Sequence, residues 1–75
     1  MDKPIINGIY KHYKGNKYKV LGIAKHSETL EEMVVYQALY GEMGIWVRPL
    51  SMWSEEVLVN GATVLRFEYT EDENV

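Results

Sequence analysis

Met33-Val34-Val35-Tyr36-Gln37-Ala38-Leu39-Tyr40 decides the class of this fold. Side chains in this run alternate, with Val34, Tyr36, Ala38 and Tyr40 on one face and Met33, Val35, Gln37 and Leu39 on the other, which is the period of a strand. Working outward, Gly41-Glu42-Met43-Gly44 makes a turn, and 45–48 form a short strand stopped by Pro49, which cannot donate to a ladder. Upstream, runs over 8–14 and 18–26 flank Gly15-Asn16, a turn pair tolerant of positive φ, so these two strands form a hairpin. A two-residue loop would set Tyr13 opposite Tyr18 and His12 opposite Lys19. A one-residue slip reverses the face His12 occupies, so the register stays open. Residues 27–32 are polar; Thr29 followed by Glu32 has the capping-box spacing, so a helical turn and a loop both fit.

Downstream, Ser54 ahead of Glu55 and Glu56 predicts one helical or 3-10 turn near residues 51–58. Asn60-Gly61 marks a turn, 64–69 read as a last strand, and 70–75 form an acidic, frayed tail. The expected architecture is all-β: a small SH3-like β-barrel of about five strands, one domain over 1–75 with its core at about 8–69. Closure would remove exposed edges in a chain with no helix long enough to cover a sheet. Val34, Val35, Leu39, Val47, Leu65 and Phe67 are expected to complete a core built on Trp and Tyr.

A chain of 75 residues buries only about 60% of its unfolded surface, so its stability margin is small. There is no Cys, which removes disulfides, thiol nucleophiles and thiolate metal sites. No apolar run reaches the length of a membrane span, and the N-terminus lacks the apolar core of a signal peptide, so the expected location is the cytoplasm. The net charge of −3 is divided unevenly: Lys3, Lys11, Lys14, Lys17, Lys19 and Lys25 precede residue 26, and ten acids with only Arg48 and Arg66 follow.

The motifs together resemble a known family. Gly8, Tyr10, His12-Tyr13-Lys14-Gly15, Tyr18 and Val20 look like the opening of the bacterial family called domain of unknown function 1653. The likeness continues through Ala24, His26-Ser27-Glu28-Thr29, Glu31, Val35-Tyr36, Leu39-Tyr40, Trp46-Val47-Arg48-Pro49, Met52, Glu55 and Arg66-Phe67. Trp53 stands where that family more often has Phe. The resemblance implies an SH3-like β-barrel and brings no activity, catalytic residue or cofactor with it.

No catalytic constellation, metal set or cofactor motif is present in the sequence. His12 and His26 with Glu28 fall short of a metal site, because zinc wants three or four ligands. Ser27, Glu28 and Thr29 suit a turn that satisfies its own backbone. Arg48 suits a carboxylate or phosphate, with Glu28 or Glu55 as internal partners. The leading expectation is a non-enzymatic binding module for a small anionic ligand, a peptide or a protein partner. Its candidate site joins His12, His26, Glu28, Thr29, Trp46 and Arg48. One alternative binds single-stranded nucleic acid through Lys11, Lys14, Lys17, Lys19 and Tyr13. Another is a small hydrolase or transferase centred on His26 and Glu28.

Overall fold

The computed structural model describes residues 3–70; the acidic tail read over 70–75 therefore lies, beyond Thr70, outside the described residues. The elements are β1 (Ile9–His12), β2 (Lys17–Lys25), β3 (Glu32–Ala38), β4 (Ile45–Pro49), α1 (Leu50–Trp53), β5 (Glu56–Val59), β6 (Ala62–Leu65) and β7 (Phe67–Tyr69). Five strands make one antiparallel sheet in the order β4-β3-β2-β1-β7, and β5 pairs with β6 alone.

The all-β class and the helical turn are as the sequence predicts. The sheet is not closed into a barrel: β4 and β7 are its two edges, and the hairpin that follows α1 pairs with itself. The side of the sheet that closure would have covered is filled by Trp53, which is 2% exposed and lies flat on Phe67 at 4.1 Å and 2°. Around this pair pack Tyr10, Val20, Val34, Tyr36 and Leu50, with Tyr18 and Ile23 against them. The alternation read in β3 holds for Val34, Tyr36 and Ala38, which are buried, and stops short of Tyr40, which lies beyond the strand and is 46% exposed. Val47 and Leu65 are not core, at 60% and 43% exposed; Val47 pairs with Val35 on the outer face of the edge, which no second layer covers among the described residues.

The β1–β2 register differs from the two-residue-loop expectation. Tyr10, not Tyr13, faces Tyr18, and Tyr13, Lys14 and Gly15 form a three-residue loop with Gly15 at φ +109°. The reason is burial. Pairing Tyr13 with Tyr18 would set Lys11 opposite Val20, which is fully buried, and cross-strand partners share a face. A bulge between Val20 and Gly22 then shifts the register, so that Val20 and Ile23 both reach the core face.

The helical turn begins earlier than Ser54. It follows Pro49 and ends before Ser54, which is its C-cap, and Glu56 already opens β5. Residues three apart share a helix face, so this placement buries Leu50 and Trp53 together. The run 64–69 is also divided. Its first residues pair with β5 and its last with β1, and the break falls at Arg66. Arg66 joins both parts: its N–H donates to the Glu55 carbonyl at 2.8 Å, and its own carbonyl accepts from Tyr13 N–H at 3.0 Å.

Candidate functional site

The residues 27–31 form a loop, with Glu32 already opening β3, and the loop's polar side chains serve its own backbone. His26 Nδ1 accepts from Glu28 N–H at 3.1 Å and Thr29 N–H at 3.4 Å. Thr29 Oγ1 accepts from Glu31 N–H at 3.2 Å, and Leu30 turns at φ +62°. His26, Glu28 and Thr29 thus build a turn at one end of the β2–β3 hairpin, as side chains of these types do when they stand in for backbone acceptors. A His26–Glu28 general base would have to work with an Nδ1 lone pair that the loop already uses.

His12 uses the same device, with Nδ1 accepting from Lys14 N–H at 3.1 Å, but its surroundings differ. Its ring lies 5.1 Å from Phe67, 4.5 Å from Tyr13 and 6.3 Å from Tyr18. Burial pushes its pKa below the usual 6.5, and the charges of Arg66, Lys14 and Arg48 push it the same way. The neutral imidazole carries its proton on Nε2, because Nδ1 is an acceptor.

Arg48 and Arg66 converge on one carboxylate beside this ring. Arg66 Nε lies 3.4 Å and Arg48 NH1 3.8 Å from Glu55 Oε1. Arg66 Nε is sealed from solvent without a hydrogen bond, and the Arg48 contact is too long for one. The guanidinium of Arg48 lies 5.5 Å from the Phe67 ring and that of Arg66 5.8 Å from Tyr13. Two cations therefore share one anion, over an aromatic floor, with side chains about a quarter exposed. The expected Arg48–Glu55 pair is present.

Trp46 belongs to the same face. Register places it opposite Tyr36, and Arg48 opposite Val34. Tyr36 in turn meets Tyr18, Trp53 and Phe67 edge-on at 5.1 to 5.7 Å. At the rim the Tyr18 and Tyr40 hydroxyls hydrogen-bond at 2.7 Å. Burial, and then the Tyr40 hydrogen bond and charge, raise the Tyr18 pKa to about 12.

Of the six candidates, the structure brings His12 and Arg48 together at Phe67, sets Trp46 two residues from Arg48 on the same face of β4, and leaves His26, Glu28 and Thr29 in the loop. Sequence reasoning did not place Arg66 or Glu55 in the site. For the nucleic-acid alternative, Lys11 faces Lys17 and Lys19 faces Ile9, on the side of the sheet opposite Tyr10 and Tyr18. Strand alternation thus separates Lys11 and Lys19 from those aromatics, while Lys14 lies 5.9 Å from the Tyr13 ring in the turn. Among the described residues no three His, Cys, Asp or Glu are grouped to hold a metal. No helix there is long and apolar enough to cross a membrane.

A family model, protein of unknown function (DUF1653), matches residues 8–69. A crystal structure of a protein belonging to DUF1653 from Bordetella bronchiseptica is similar, with a TM-score of 0.79 and 40% sequence identity, over 88% of this chain and 87% of that one. No curated protein matches.

Proposed function

This chain belongs to the DUF1653 family, whose function is unknown, and from that premise we propose that it is a non-enzymatic binding module for a small anion, held between Arg48 and Arg66. The observation that carries the reading is the shared carboxylate. Glu55 lies 3.8 and 3.4 Å from the two guanidiniums and hydrogen-bonds neither side chain's nearest nitrogen, so the pair keeps an excess positive charge over its one carboxylate. Guanidinium forks fit the oxygens of carboxylates and phosphates bidentately, and such charge-assisted bonds are the strong ones. Phe67 beneath Arg48 excludes water from one side of the site, which strengthens the attraction. His12, kept neutral, offers an Nε2–H donor at the same rim.

The test is a ¹⁵N NMR titration with inorganic pyrophosphate and with citrate, following the guanidinium Nε–H signals. Binding should shift both arginines. Arg48→Gln should weaken it about tenfold or more, the range of hydrogen bonds to charged groups. Glu55→Gln should strengthen it, because the internal competitor loses its charge. Arginine signals indifferent to both anions would sink the reading.

A further inference from the structure

We propose that the anion held by Arg48 and Arg66 carries a nucleobase that stacks on Trp46, so that the ligand is a nucleoside phosphate. The inference rests on the anion reading above and supplies the other half of the ligand. The two tryptophans of this chain make the contrast that motivates it. Trp53 is 2% exposed and stacked on Phe67, while Trp46 is 59% exposed. Trp46 is nonetheless placed. A Cβ at Gly44 would stand 3.3 Å from the Trp46 Nε1 and 3.7 Å from Cε2, so the indole edge rests against bare backbone in the turn before β4. A methyl group at 44 would press on the indole, which would have to give by a few tenths of an ångström.

Trp46 and Arg48 are two residues apart on one strand and share a face, which sets their Cα atoms about 7 Å apart at the rise of a strand. On this face Tyr36 lies opposite Trp46 in register and meets Phe67 edge-on at 5.7 Å, and Phe67 lies beneath Arg48. An exposed indole is a stacking platform for any base, since every base has a π-face. A guanidinium pair an adjoining step away suits the phosphate oxygens. The site thus pairs a flat apolar surface with a cationic one on the same side of the sheet, which is the division of a nucleotide into base and phosphate. The same chemistry occurs in a free nucleotide and in a residue of a single strand.

The experiment titrates the whole chain with inorganic pyrophosphate, ADP, UDP and a short single-stranded oligonucleotide, reading affinity and the Trp46 indole N–H signal. ADP and UDP should bind about tenfold more tightly than pyrophosphate, the range that base–aromatic stacking provides. They should shift the Trp46 signal while pyrophosphate does not. Trp46→Ala should reduce the nucleotides to the affinity of pyrophosphate and leave pyrophosphate unchanged; Trp46→Phe should keep most of the gain. Gly44→Ala should weaken the nucleotides alone. Tighter binding of the oligonucleotide than of ADP, lost in Trp46→Ala, supports the proposal with a strand as the source; tighter ADP supports it with a free nucleotide. Equal affinity for pyrophosphate and ADP, unchanged in Trp46→Ala, overturns the base-stacking inference and leaves the anion site standing. Binding of no phosphate compound at all overturns both.

Discussion

At His12 and at His26 the Nδ1 lone pair accepts a backbone N–H two residues ahead, so each imidazole fastens a turn. For His12 this has a pH consequence. Its folded pKa lies below the 6.5 of the unfolded chain, chiefly through burial. As pH falls through 6.5 the unfolded state takes up the proton first, so stability declines until the folded imidazole also titrates. The urea midpoint should therefore drop between about pH 7.5 and about pH 5.5, and His12→Asn, which keeps a turn acceptor without a titrating ring, should show a smaller drop. Identical pH slopes in the two proteins would contradict this. The polar composition of the His26 loop was legible because such side chains act on their nearest backbone. The role of His12 was not, since it depends on Phe67, Arg48 and Arg66, which are remote in sequence.

Among the elements, α1 is the one on which the core depends. Trp53 closes the open side of the sheet, so Trp53→Ala should cost about 3–5 kcal/mol, as much as a domain this small has to spare, and circular dichroism should find it unfolded. Trp53→Phe should fold. It loses volume against Tyr10 and Tyr36 but also removes an indole N–H that is buried without a partner. A folded Trp53→Ala protein would refute this view of the core. β4 makes the opposite prediction. Val47→Lys should change stability by no more than about 0.5 kcal/mol, because the residue is exposed on an edge. A large loss on denaturant titration would mean that the outer face is covered. Strands that alternate cleanly, such as β3, were readable in advance. The run 64–69 was not divisible in advance, because the break at Arg66 follows from pairing to two different partners, β5 and β1.

Over the whole molecule, protection should follow position in the sheet. β2 and β3 are paired on both sides and carry Val20 and Val34, the fully buried side chains. Their amides should exchange with solvent more slowly than those of β5 and β6, a two-stranded unit with most of its residues exposed. Equal exchange across both sheets would show that the hairpin is held more firmly than its contacts imply. The sequence by itself determined the all-β class, the turns at Gly15 and Asn60-Gly61, and which face of β3 is buried. Each of these is a local property, set by side-chain alternation or by tolerance of positive φ. The tertiary structure alone decided the register of the first hairpin, the open sheet, the choice of Glu55 over Glu28 as the partner of Arg48, and the arrival of Arg66 at that pair over Phe67. These depend on which distant strands pair and on where Trp53 must be buried, a competition between whole arrangements of the chain that no short stretch of residues encodes.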